Sequence, residues 1–167
     1  LTTHDALTTG ANTDTATSTA NFGGIFTDSY NYGADGAGST VLSYTLSLAV
    51  ANGTASGLNS QGAPIYLYDI GGVITGSTST TLAGITTGNT VFSISVDNTG
   101  AVTLSQMQQI DHAPESTTTA PFDDQLATLA SGLVNLTGTA VVTDFDGDTA
   151  TDSNTIDLGG SIQFTDD

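Results

Sequence analysis

Val41-Leu42-Ser43-Tyr44-Thr45-Leu46-Ser47-Leu48-Ala49-Val50 sets Leu42, Tyr44, Leu46 and Leu48 two residues apart. In extended backbone successive side chains face opposite ways, so this period of two places an apolar row on one face. The pattern predicts a strand over 41–50, half buried on a core. Residues 90–97 repeat it, with Phe92, Ile94 and Val96 in alternation. Asn98-Thr99-Gly100 then reads as a turn and 101–104 as the returning strand, which together predict a hairpin. Further strands are expected at 65–70, 133–143 and 155–164. Residues 14–22 suit an early edge strand, because their alternating side chains are small and polar.

Thr and Val suit half-buried pleated surfaces, and strong helix formers are sparse. Two stretches fit helical register: 105–112, ended by Pro114, and 123–131, with Leu126, Leu129 and Ala130. One or two short helical turns are expected at most. Residues 53–62 and 111–124 are polar and read as loops. Many short strands joined by Gly-rich turns imply an all-β fold, an Ig-like or Greek-key β-sandwich. At 167 residues the chain fits one domain, 1–167, with no internal repeat. No apolar run approaches the roughly 18 residues that span a bilayer, so a soluble domain without membrane insertion is expected. The chain does not begin with Met and shows no signal segment, which suggests excision from a larger protein.

There are 17 acidic residues and no Lys or Arg, a formal net charge of −17. Such a chain cannot neutralise phosphates, which argues against nucleic acid and anionic membranes as partners. Self-repulsion works against compactness, so divalent cations are the natural source of positive charge. General solvation of an acidic surface is the competing explanation. All the acids but Glu115 are Asp, which suits turns and short-reach ligation. No Cys is present, so disulfides and thiolate metal sites are ruled out.

The strongest local signal is Thr143-Asp144-Phe145-Asp146-Gly147-Asp148-Thr149-Ala150-Thr151-Asp152. Asp144, Asp146 and Asp148 are spaced by two and would project to one side of an extended or tightly turned backbone. Three converging carboxylates repel unless a cation joins them, and Ca²⁺ takes six to eight oxygens. An EF-hand is excluded, because Gly147 stands at the wrong position and Thr155 replaces the closing Glu. A solvated acidic turn is the plainer alternative. Asp152, at the end of the stretch, is a further candidate ligand. A second cluster, from Asp28 to Asp35 with Asn31 and three nearby glycines, forms either another oxygen cage or a flexible turn. Asp166 and Asp167 are candidates for a calcium shared with a following domain. Asp123-Asp124 reads rather as a helix N-terminus.

His4 and His112 are too few for a transition-metal site without Cys. Nothing marks a nucleophile elbow, a raised-pKa carboxyl pair, a phosphate loop or a dinucleotide fingerprint. Without Lys or Arg, the usual cationic stabilisers of an oxyanion are missing. The expectation is therefore a protein that is not an enzyme.

The run from Thr139 to Ala150 resembles the T-D-x-D-G-D-T-A signature of tandem repeats in giant RTX-type adhesins exported by type I secretion, akin to VCBS and Bap-like repeats. Phe26-Thr27-Asp28, Tyr32-Gly33-Ala34-Asp35-Gly36, Val91-Phe92-Ser93-Ile94, 100–106 and Ile110-Asp111-His112 are similar too. The resemblance implies a Ca²⁺-rigidified β-sandwich repeat, secreted and extracellular on a bacterial cell surface, serving adhesion and biofilm formation. It implies Asp144, Asp146 and Asp148 as ligands and neighbouring repeats of the same chain as partners, with the isolated domain a monomer. The chain is longer than the simplest such repeats. An alternative is a ligand-binding module of the same adhesin, taking a glycan, a peptide or another cell-surface ligand, with Tyr30, Tyr32, Tyr66 and Tyr68 as stacking surfaces.

Overall fold

The computed structural model describes residues 1–4, 16–26, 30–112 and 125–165. These residues build β1 (Thr2–His4), β2 (Ala16–Asn21), β3 (Ala37–Leu48), β4 (Thr54–Ser60), β5 (Ala63–Ile70) and β6 (Val73–Ser77). There follow β7 (Thr90–Val96), β8 (Ala101–Gln106), β9 (Leu126–Thr128), β10 (Val134–Asp144), β11 (Thr149–Asp157) and β12 (Gln163–Thr165). The only helical segments among the described residues are two 3-10 turns, Gly23–Ile25 and Leu82–Gly84. The fold is all-β and sandwich-like, as the period-two runs predict.

One layer is a six-stranded sheet in the order β2-β8-β7-β6-β5-β4. Its partners across the core are two three-stranded sheets, β11-β10-β3 and β1-β12-β9. The six-stranded sheet supplies Ile65, Leu67, Ile74, Phe92, Ile94, Val102 and Leu104 to the core; Leu46, Leu136, Leu158, Ile162 and Phe164 oppose them. The Phe92 and Phe164 rings join the layers, with centroids 5.2 Å apart. The predicted hairpin forms as β7 and β8, and β2 occupies an edge as expected.

Four expectations are corrected. Residues 54–60, read as loop, form edge strand β4, whose pairing with β5 is interrupted between Ala55 and Asn59. Its alternation was masked by Ser and Gly: Ser56 and Ser60 are the inward residues, and both are buried. Residues 105–112 are not helical. Ser105 and Gln106 end β8, and the Met107 amide donates to Val91 O at 2.7 Å, so tertiary pairing outweighs propensity. Residues 126–128 are strand β9, against Gln163–Thr165, and not helix. Residues 155–164 are two strands, because the Ser161 amide turns back to Leu158 O at 3.1 Å. Most of 111–124, with Asp123 and Asp124, lies outside the described residues.

The sheet β11-β10-β3 outruns the core. Burial alternates along β10 from Val134 to Ala140 and then stops, while β11 is exposed almost throughout. Tyr44 marks where the core ends. It pairs with Gly138, and the Phe26 ring lies on both, 5.6 Å from the Tyr44 ring. Gly100, in the β7–β8 turn, abuts the same tyrosine. From Gly138 to Asp144 the ribbon runs six residues further, about 20 Å at ~3.3 Å per residue.

Candidate metal centre

The ribbon's tip is the β10–β11 turn. Asp144 Oδ1 accepts the Gly147 and Asp148 amides at 3.1 and 2.9 Å, and the Asp144 amide donates to Asp148 O at 3.0 Å. Gly147 turns the chain at φ 101°, a conformation that L side chains resist. Asp146 is therefore exposed at the turn, with Phe145 beside it.

The second acidic stretch arrives from β3. Asn31 Oδ1 accepts the Gly33 amide at 3.0 Å and starts a turn through Asp35. The ladder between β3 and β10 then skips one residue: Thr143 pairs with Ser39, but Asp144 pairs with Ala37. The skipped residue is Gly38. A Cβ there would overlap the Thr143 and Asp144 carbonyl groups, so only glycine allows this approach. The bulge carries Asp35 to the ribbon tip. One carboxylate oxygen each from Asp35, Asp144 and Asp146 lie within 4.8 Å of one another, a group able to hold a metal ion.

The other described acids are differently employed. Asp69 caps Gly72; Asp97 caps Thr99 and Ala101; Asp111 takes the Gln61 and Gly62 amides, both at 2.7 Å. Asp157 caps Gly132 and Gly159, and Asp152 takes the amide of Ser153. In a chain without Lys or Arg, turn amides thus serve as the positive partners. Among the nine described aspartates only Asp35, Asp146 and Asp148 cap no backbone amide, and two of these three meet Asp144.

The Asp144 carboxyl is held below the usual carboxylate range, first by its hydrogen bond with Asp146 and then by the turn amides; desolvation opposes them. A hydrogen bond between two carboxyls requires a shared proton. With both ionised, the pair repels, and a cation between them would relieve that repulsion. The hard oxygens of three aspartates suit Ca²⁺ or Mg²⁺ rather than a soft metal.

Asp148 stands outside this group, because the chain reverses at Gly147 and the spacing-of-two projection ends there. It lines a neighbouring cavity of about 130 Å³ with Asn31, Tyr32, Val142, Asp144, Thr149 and Ala150. Asp152 lies on β11 opposite Ala140, away from the tip. Asp28, Asp166 and Asp167 fall outside the described residues. His112 Nε2 meets Phe164 O at 3.0 Å, and His4 Nδ1 meets Thr165 Oγ1 at 2.7 Å, so both tie to β12. Tyr68 is buried with its hydroxyl donating to Ser79 O at 2.8 Å, which removes it as a stacking surface. Tyr30 and Tyr32 remain together, centroids 6.5 Å apart, and the Tyr32 hydroxyl is bonded to Thr40 Oγ1.

Sequence reasoning treated the two acidic stretches as separate sites and missed that the β3 bulge merges them. It also missed the capping aspartates. Their signal is visible in retrospect: Asp69, Asp97 and Asp144 each precede by three residues a glycine of positive φ. No curated protein and no solved structure matches the chain. A family model described as a domain of unknown function, DUF5801, matches residues 3–159. That match covers nearly the whole sandwich and both halves of the aspartate cluster, and the chain belongs to the DUF5801 family.

Proposed function

We propose that this domain is a calcium-stabilised extender repeat of a large, secreted bacterial surface adhesin, with a structural rather than a catalytic role in adhesion and biofilm formation. The observation that carries the reading is the convergence of Asp35, Asp144 and Asp146 at a ribbon tip in a chain with no basic side chain. Calcium there ties the turn after β10 to the approach of β3. It adds stability because it binds the folded state only.

The test is thermal unfolding with calcium and with chelator. With free calcium about 100-fold above Kd the gain is about 2.7 kcal/mol, a rise in Tm of about 5–10 °C for a domain of this size. Asp144→Asn and Asp35→Asn should each abolish most of the rise. A Tm indifferent to calcium removes the calcium part of the reading. The cavity beside Tyr32 favours one second reading, recognition of a glycan. Saturable, reproducible signal on a glycan array, lost in Asp148→Ala, would select it over the extender.

A further inference from the structure

We infer that the cavity on the inner face of the ribbon tip takes a lysine side chain of a partner protein, its methylene stem along Val142, Ala150 and Tyr32 and its ammonium at Asp148 and Asp144. The inference goes beyond the extender reading, because it gives the tip a partner whether or not calcium stiffens the domain.

Side chains two apart on a strand share a face, so Val142 and Asp144 continue the face of buried Leu136 and Ala140 past the end of the core. Val142 pairs with Ala150, and just beyond this pair the Asp144 amide donates to Asp148 O at 3.0 Å. These four residues line the cavity together with Asn31, Tyr32 and Thr149. Its wall therefore passes from apolar to acidic over two residues of strand, about 7 Å. A lysine side chain changes in the same sense over a similar length, from methylene stem to charged head. The wall is also preformed. The Tyr32 hydroxyl is bonded to Thr40 Oγ1 at 2.8 Å, Thr40 pairs with Val142, and the Tyr30 ring lies 6.5 Å from the Tyr32 ring. A wall already in place loses little entropy on contact.

Size and charge choose the occupant. The cavity holds about 130 Å³, well below the roughly 300–1,000 Å³ of pockets that enclose whole ligands, so it suits one side chain rather than a sugar chain. A Ca²⁺ ion wants six to eight oxygens, and the Val142 and Ala150 side chains offer none. Asp148 caps no backbone amide and stands outside the three-carboxylate group. With Asp35, Asp144 and Asp146 it brings four carboxylates to the tip, so one divalent ion leaves two negative charges over. The 167 residues hold no Lys or Arg, so the compensating side chain comes from outside them. A guanidinium fork is best met by both oxygens of one carboxylate, and Asp144 Oδ1 is already taken by the Gly147 and Asp148 amides. An ammonium has three donors and no fixed plane, and it can take single oxygens from two carboxylates.

The test is amide NMR of the isotope-labelled domain, saturated with calcium and titrated with the end-blocked peptide Gly-Gly-Lys-Gly-Gly. Saturable shifts are expected at Asn31, Tyr32, Val142 and 148–150, several-fold weaker with norleucine or arginine in place of the lysine. Asp148→Asn should weaken the lysine peptide several-fold, whereas Asp69→Asn, on the β5–β6 turn, should leave it unchanged. No saturable shift at the cavity overturns the inference. So does equal binding of norleucine, which would mean a plain apolar groove, or tighter binding of arginine. An equal loss in Asp69→Asn overturns it as general attraction to an acidic chain. Shifts from an N-acetylglucosamine oligomer at the same amides, with none from the lysine peptide, overturn it in favour of a glycan. Shifts seen only with chelator and abolished by calcium overturn it as well, because the ammonium is then standing in for the metal. Intact lysine binding beside a Tm indifferent to calcium upholds this inference and fails the calcium part of the extender reading.

Discussion

Gly38 and Asp97 show how single residues set this structure. Gly38 has no room for a β-carbon, because the Asp144 carbonyl oxygen would lie 2.5 Å away. Gly38→Ala must push β3 off β10 at the bulge. The expected cost is about 1–3 kcal/mol, the usual range for overpacking. It should also weaken calcium binding by moving Asp35, which calorimetric titration of the variant would read. Gly57→Ala, where a β-carbon meets nothing but the φ is 85°, separates simple backbone strain from loss of the cluster, since it should leave calcium affinity intact. Asp97 carries the pH dependence of the β7–β8 turn. Its pKa is lowered by the Thr99 hydroxyl and then by the Thr99 and Ala101 amides. A depressed folded-state pKa contributes stability above the unfolded value, about 3.9, and loses it as pH falls through the folded value. The Tm gap between wild type and Asp97→Ala should therefore hold constant from neutral pH to about pH 5 and close in stronger acid. A gap that widened on acidification would contradict the assignment.

At the scale of elements, the β3-β10-β11 ribbon is the part on which the proposed calcium would act. Its distal half has few core contacts, so its amides open locally rather than with the whole domain. Calcium should slow hydrogen exchange at 35–38 and 143–149 and leave the six-stranded sheet unchanged. Uniform protection would point to a general charge effect. β11 is also an exposed edge, and such edges invite pairing with other chains. Here the Ser153 and Thr155 amides are taken at 2.9 Å by the side chains just before them, Asp152 and Asn154. Asp152, a candidate ligand by its place in the sequence, takes the Ser153 amide on this edge. Asp152→Ala with Asn154→Ala should raise light scattering in concentrated solution with little change in Tm.

For the whole molecule, the layers are held by a shared apolar core that includes the Phe92–Phe164 contact, and the net charge of −17 opposes compaction. Phe164→Ala removes the partner of Phe92 and should cost about 3–5 kcal/mol, a large part of an ordinary domain's stability. Loss of far-ultraviolet strand signal at room temperature, or a Tm drop of about 10 °C, checks it. Monovalent salt should stabilise the chain by screening its repulsion, over the tens to hundreds of millimolar where the Debye length shrinks to about 10 Å. Calcium should act at far lower concentration if it occupies a defined site. Overlapping dose curves for the two would leave only screening.

The sequence by itself determined the strand-forming rows. Leu42, Tyr44, Leu46 and Leu48, like Phe92, Ile94 and Val96, carry a period that only pleated backbone can satisfy with one buried face. It also determined the absence of ion pairs with Lys or Arg, and it marked Asp144 and Asp146. It did not reveal β4 or β9. Ser56 and Ser60 are buried without being apolar, and Leu126–Thr128 is too short to show a period. Only the tertiary structure decided which acids stay uncommitted. An aspartate that caps a turn and one that joins a cluster of carboxylates look alike in sequence, and Asp35 reaches Asp144 across more than a hundred residues through a single bulge at Gly38. Local spacing encodes the period of a strand, but the meeting of distant carboxylates depends on register, which is fixed only when the sheets pack.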